Sequence, residues 1–257
     1  MSGIRKLGTS TPARVGLARA GSSIGTGAQL RFQLDHALAR DAVHARLDVA
    51  GLIAGVARLG LEGVALKSAV EAGPGERRTY LRRPDLGRRL AAGSASELKR
   101  GSLLPDVVFV IADGLSALAV ERHALPLLSA VLRVLPQEVW SVGPVCVVSQ
   151  GRVAVGDEIG ERLGARTVVV MIGERPGLSA ADSLGVHTTW EPRVGRTDAE
   201  RNCISNVRVV GLGYAEAAAR IAAVLNEAKR FGATGVALGS VAGNPRAFDP
   251  ASIDKAD

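Results

Sequence analysis

An α/β chain is predicted, with a Rossmann-like parallel sheet flanked by helices, preceded by a small helical N-terminal region and a β-hairpin. Two observations carry this. After Pro105 the short β-branched runs DVVFVIADG, VCVVSQ, TVVVMIG and GVALG alternate with helical stretches, the pattern of buried parallel strands joined by crossovers. Before Pro105 the apolar spacing is helical and then strand-like, which puts a boundary near residue 60, with 1–60 as a helical region and 61–257 as the α/β unit.

The elements follow in order. From Thr26, TGAQLRFQLDHALARDAVHARLD sets Leu30, Leu34, Ala37 and Leu38 on one helical face, and Thr26 with Gln29 has capping-box spacing. VALKSAV and RRTYLRRP, on either side of EAGPGE, read as two strands of a hairpin. Residues 85–99 read as helix with Gly101 as its stop. Residues 116–135 carry Leu118, Leu125, Leu128 and Leu132 at near-helical spacing, with Pro126 expected to split them into two helices. A short helix is expected over 157–163. In YAEAAARIAAVLNEAKRFG, Ile221, Leu225 and Ala228 form a stripe that ends at Gly232. The tail after Gly239 lacks apolar periodicity and is expected to be loosely ordered.

At 257 residues, 47% of them apolar, the chain can bury a core without disulfides or a structural metal. No apolar run reaches bilayer length and the N-terminus lacks a signal-peptide core, so the expected address is cytoplasmic, with no membrane partner. Cys146 and Cys203, without CxxC spacing, fit reduced thiols. The net charge of +7 raises the question of an anionic partner. Aromatics make up only 3% of residues, too few for a base-stacking platform, and nucleic acid is not expected. The arginine pairs Arg77 with Arg78, Arg82 with Arg83 and Arg88 with Arg89 read mostly as solvated surface, with phosphate or acidic contact as the sharper reading.

The long polar stretch 173–210 stands out, because such a segment between core elements usually carries function. GERPG opens it directly after a strand, where ligands bind in open α/β sheets. Neither a Walker A pattern nor a complete GxGxxG is present, and the four histidines are scattered. Asp113 reads as a cap and turn residue, and Asp157, Glu158 and Glu161 as acids favourable at a helix start. Cys146 reads as core. Cys203, among Arg201, Asn202, Ser205 and Asn206, leaves a reactive thiol and a ligand contact both open. No catalytic residue and no metal ligand is singled out. On these residues a stand-alone α/β module binding a nucleotide or phosphate is one reading.

A resemblance supplies another. RVGLARAG at 14–21, LRFQLDHALARDAVH at 30–44, YLRRPDLGRRL at 80–90, VVFVIADGLSA at 107–117, GRVAVGDEIGERLGA at 151–165, IGERPGLS at 172–179 and DAERNCISN at 198–206 resemble, in order, the small subunit of ethanolamine ammonia-lyase. The likeness runs from about Arg14 to Leu238. It implies a lyase complex that converts ethanolamine to acetaldehyde and ammonia. A large catalytic subunit would be the partner, and adenosylcobalamin, at the boundary between the subunits, would supply the radical chemistry. The family's cofactor-contact positions fall on the Val of GRV, the Glu of GERPG and the Cys of CISN, which are Val153, Glu174 and Cys203 here. The resemblance thus makes 61–257 the cobalamin-contacting domain. Some relatives carry a long N-terminal extension suited to a bacterial microcompartment. With 13 residues before Arg14, encapsulation through this chain is not expected.

Overall fold

The computed structural model describes residues 14, 17, 19–70, 75–136 and 138–241. A two-residue antiparallel pair, β1 (Arg19–Ala20) and β2 (Ser23–Ile24), leads into helix α1 (Thr26–His44). Then come α2 (Val49–Arg58), β3 (Gly63–Lys67), α3 (Glu76–Arg82) and α4 (Ala92–Glu97). The alternating part follows as β4 (Val107–Ala112), α5 (Ala117–Val134), β5 (Val145–Ser149), α6 (Val155–Leu163) and β6 (Thr167–Gly173). It closes with β7 (Leu184–Trp190), β8 (Arg201–Val207), α7 (Tyr214–Phe231) and α8 (Val236–Val241).

β3 to β8 form one six-stranded sheet in the order β3-β5-β4-β6-β7-β8. β3, β5, β4 and β6 pair in parallel, while β7 runs antiparallel to both β6 and β8. The fold is therefore α/β with a mostly parallel sheet flanked by helices. Every residue of β4 and β6 is buried, as expected of strands covered on both faces. One face packs on α2, α5 and α7 through Leu52, Val56, Val120, Leu127, Val131, Ile221 and Leu225. The other packs on α4 and α6 through Ala95, Val155, Ile159 and Leu163, and this second apolar cluster stops at β6, with no member from β7 or β8.

Several sequence expectations are corrected. The β-hairpin does not form: Glu76–Arg82, its second limb, is helix α3, and β3 pairs in parallel with β5 instead. RRTYLR alternates as well as it spirals, and the helix wins because it buries Tyr80 completely. GVALG is helix α8, not a strand. Pro126 does not split α5, which runs unbroken through it. An interior proline costs about 3 kcal/mol, yet Val120, Ala124, Leu127, Leu128 and Val131 are all fully buried on its inner face, and at about 1.5 to 3 kcal/mol per large side chain that burial prevails. The 85–99 helix is in fact a 3-10 turn at Leu86–Arg88 followed by α4. At α1 the N-cap is Gly25 without a side-chain cap bond, so the Thr26 and Gln29 capping box is not made. The apolar stripe of α1 is bare, with Leu30, Leu34 and Leu38 each at least half exposed. The tail from residue 242 and the turn at 71–74 lie outside the described residues.

The long stretch 173–210 is not loop throughout: it contains the strands β7 and β8. β7 and β8 were hidden because they cover only one apolar face: Leu184 and Val186, then Ile204 and Val207, face the first cluster while polar residues face away. No helix among the described residues is long and apolar enough to cross a membrane.

Cys146 lies in β5 and Cys203 in β8, four strand steps apart, which at about 4.8 Å per step puts them roughly 19 Å from each other. A disulfide needs Cα atoms within about 7 Å. Alkylation without reduction, followed by mass spectrometry, should find both as thiols, with Cys146 modified only after unfolding. An intramolecular disulfide in native protein would contradict this strand order.

Candidate functional site

Of the three sequence-predicted residues, Cys203 lies on the polar face of β7 and β8, Glu174 at the end of β6 beside it, and Val153 in the turn before α6. Val170 lies opposite His187, and His187 opposite Cys203, so all three share the face that the second apolar cluster leaves beyond β6. Gly185 and Thr189 continue it along β7, and Arg201 along β8, at the two-residue period of a strand.

Glu174 directly follows β6, at the carboxyl end where the sequence placed it. Its carboxylate accepts hydrogen bonds from the Ser183 hydroxyl and from the Asn206 N–H at 3.3 Å. It reaches β8 across Gly185, where a Cβ would lie 3.1 Å from both Cγ and Oε1 of Glu174. Asn206 sits at φ 62°, a conformation that asparagine tolerates better than most residues, and this turns its N–H toward Glu174. Cys203 stands in β8 rather than in a loop. Its Sγ is 3.8 Å from His187 Nε2 and 3.4 Å from Ser205 Oγ. Cys203 is exposed as a residue, but its sulfur lies against the sheet, and that desolvation pushes the thiol up from its ordinary value. Burial, helped by the Arg201 charge, pushes His187 down. Near neutral pH the face therefore presents a neutral thiol beside a neutral imidazole.

Arg201 joins this face to the helix that follows Val153. Its guanidinium makes a bidentate pair with Asp157, at 2.6 and 2.7 Å, and donates to Thr189 Oγ1 and the Arg196 carbonyl at 2.9 Å each. Both partners of the pair are 2% exposed. Asp157 is thus more than a favourable charge at the start of α6: its carboxylate is the counterion of a buried arginine. Val153, half-buried in the turn before α6, lines a hollow together with Arg201. Val153, Arg201, Cys203, His187 and Glu174 form a run of neighbours along one side of the sheet edge.

Sequence reasoning missed a second cluster, at the carboxyl ends of β4 and β5. Asp113, read as a cap, accepts the Gly151 N–H at 3.0 Å and faces Arg77 Nη1 at 3.5 Å, while Ser116 caps α5 by accepting from the Ala119 N–H. Arg77 also donates to the Val43 carbonyl at 2.6 Å and Gln150 Oε1 at 3.1 Å, pinning the end of α1 to the sheet. Tyr80 lies between the guanidiniums of Arg77 and Arg152, at 4.6 and 4.3 Å from its ring centroid, and donates its hydroxyl to the Gly151 carbonyl. The doubled arginines were the one signal in the sequence. Nothing in it said that Arg77 would turn inward.

Burial pushes Asp113 up to about 6, more than Arg77 and the neighbouring N–H groups offset. A carboxyl whose folded pKa exceeds its unfolded one disfavours folding once ionised. The penalty is absent below about pH 4, grows as pH rises, and is complete above about pH 6. Relative to Asp113→Asn, the native chain should therefore lose about 2 kcal/mol of stability between pH 4 and pH 7, read from denaturant melts at each pH. A constant difference over that range would show that Asp113 does not titrate there.

The sequence matches the family model for the ethanolamine ammonia-lyase light chain (EutC) over residues 2–239. It is 55% identical over 232 residues to the ethanolamine ammonia-lyase small subunit of Azotobacter vinelandii, covering 89% of this chain and 84% of that one. Against the protein of the same name from Xanthomonas campestris pv. campestris it is 50% identical over 244 residues, covering 93% and 88%. Against that from Ralstonia nicotianae it is 53% identical over 239 residues, covering 91% and 87%. With a match that spans the sheet, the polar face of β7 and β8 and the turn at Val153, the chain belongs to the ethanolamine ammonia-lyase small-subunit family.

Proposed function

We propose that this chain is the small subunit of an adenosylcobalamin-dependent ethanolamine ammonia-lyase, which converts ethanolamine to acetaldehyde and ammonia. In this reading Val153, Glu174 and Cys203 contact the cofactor at the boundary with a large catalytic subunit. The observation that carries it is the exposed polar patch on β7 and β8, with the half-buried His187 and the exposed Cys203, edged by Glu174, Ser205 and Asn206. The donor set suits the group. A corrin is broad, with apolar faces and a rim of amides, and it needs a flat support with both donors and acceptors at its margin. Ser205 and Asn206 offer donors, the Glu174 carboxylate is an acceptor, and Val153 adds apolar contact.

Bound there, adenosylcobalamin would supply the radical chemistry through its cobalt–carbon bond. The residues of this chain orient and shield. Cys203 contributes volume and a neutral sulfur, consistent with a thiol pushed up rather than down. Glu174 both meets the rim and keeps β8 in place, since one oxygen already holds Ser183 and Asn206. The bare stripe of Leu30, Leu34 and Leu38 on α1 favours life in an assembly over life as a monomer. Residues 61–257 are the cofactor-contacting unit in this proposal, 1–60 a helical N-terminal region, and the address cytoplasmic.

The test is a visible-spectrum titration of adenosylcobalamin into the complex reconstituted with the large subunit. Glu174→Ala should weaken binding by about 1 to 3 kcal/mol, the cost of one lost buried polar partner. Cys203→Ser should be mild and Cys203→Trp severe. Subunit association, followed by co-elution, should stay largely intact. Unchanged cofactor affinity in both Glu174→Ala and Cys203→Trp would remove these residues from the site.

A further inference from the structure

We propose that the arginine-rich hollow beside Val153 receives the phosphodiester of the cofactor's nucleotide tail, and that Arg88 and Arg152 recognise it. This rests on the cofactor reading above and adds to it a subsite for one anionic group. The hollow has a volume of about 420 Å³ and is lined by Pro84, Arg88, Arg152, Val153, Arg196 and Arg201, with Asp198 at its rim.

The four arginines are not alike. Arg201 is answered by Asp157 at 2.6 Å and by Asp198 at 3.5 Å, and Arg196 by Glu200 at 2.5 Å. Among the described residues Arg88 and Arg152 have no carboxylate partner; Arg152 donates from Nη2 to the Tyr80 carbonyl at 3.5 Å, and its buried Nε has no hydrogen-bond partner. The single acid at the rim, Asp198, is almost fully exposed and is shared with Arg201. Two cations without counterions thus face one hollow.

They are also held together. The Arg152 N–H donates to the Gly87 carbonyl at 2.7 Å, tying its turn to the residue before Arg88. A Cβ on Gly87 would lie 2.8 Å from Arg152 Cγ and 3.0 Å from the Tyr80 ring, so the absence of a side chain there lets the Arg152 stem lie flat. The guanidinium then stacks 4.3 Å from the Tyr80 centroid, in a ring sandwich shared with Arg77. Stacking fixes the plane of the guanidinium, and with Nε buried and Nη2 on the Tyr80 carbonyl it is Nη1 that remains for a phosphate oxygen. Rim amides are neutral and have no special need of a cation. In a cobalamin with intact amide side chains, the phosphodiester is the one anionic group on the periphery, and Val153 already places the corrin beside this hollow.

Cobinamide tests the assignment, because it keeps the corrin and its rim amides but lacks the phosphodiester and nucleotide. Adenosylcobalamin and adenosylcobinamide are titrated separately, by visible spectrum, into the complex reconstituted with wild-type chain, Arg88→Gln, or Arg88→Gln with Arg152→Gln. The double variant should bind adenosylcobalamin at least about tenfold more weakly and bind adenosylcobinamide within about twofold of wild type. The salt dependence of adenosylcobalamin binding should also become shallower. Arg88 is exposed, so Arg88→Gln alone leaves the core untouched and should still show part of the selective loss. Equal losses for both ligands, or unchanged adenosylcobalamin binding in the double variant, would overturn the phosphodiester subsite while the cofactor reading stands. A wild-type complex that binds neither ligand would overturn both.

Discussion

Purified by itself and given adenosylcobalamin and ethanolamine, this chain is expected to turn over no substrate, and activity should appear only when the large subunit is added. The reason is geometric. Radical chemistry requires a closed site that keeps water from reactive species, and the strip of β8 at Cys203, Ser205 and Asn206 lies at the surface. A corrin laid on this strip would cover it from one side and leave its own other face to be covered by something else. The side chains fit the same division of labour: the Glu174 carboxylate is already engaged by Ser183 and Asn206, and the Cys203 thiol is pushed away from the thiolate. Acetaldehyde assays on rigorously purified single chain, before and after adding the partner, decide the matter. Turnover by the single chain would mean that it closes a site of its own.

What the sequence revealed, and what it hid, follow one physical rule. β4, β5 and β6 are buried on both faces and so appear as unbroken runs of Val, Ile and Met that nothing else resembles. β7 and β8 pack apolar residues on one face only. LGVHTTW and RNCISNV therefore show half their residues as polar, and without a partner strand in view they look like loop. That half is the candidate site, which is why a functional surface on an edge of the sheet escapes pattern reading while the core beneath it does not. The place of GERPG at the end of a buried strand was legible, whereas Glu174 as a contact came from the resemblance. Arg201, Asp157 and His187 were not legible, since a bidentate pair between residues 44 positions apart leaves no local trace. Tyr80 and its two arginines were misassigned for a related reason: only tertiary burial tells the helix RRTYLR from a strand.

Arg201→Met should destabilise the fold by about 3 to 5 kcal/mol, the usual cost of stranding one member of a buried ion pair. Asp157, 2% exposed, would lose both guanidinium bonds and remain a carboxylate without a counterion, so it would be driven toward protonation. Burial already pushes Asp157 up even with Arg201 in place, which shows how little solvent compensation is available. The loss in Arg201→Met should therefore be greatest at neutral pH and shrink as pH falls, because protonation removes the unpaired charge. Adding Asp157→Leu to Arg201→Met should recover much of the stability, since two apolar residues leave no charge to solvate, and a double-mutant cycle in urea measures the recovery. The functional effect should not recover with it. Arg201 also holds Thr189 and the Arg196 carbonyl, and it is the tie that keeps β8, with Cys203, against the turn that carries Val153. A stable double variant with weakened cofactor binding would identify Arg201 as a positioning residue, whereas a stable double variant with native affinity would show that the pair serves the fold alone.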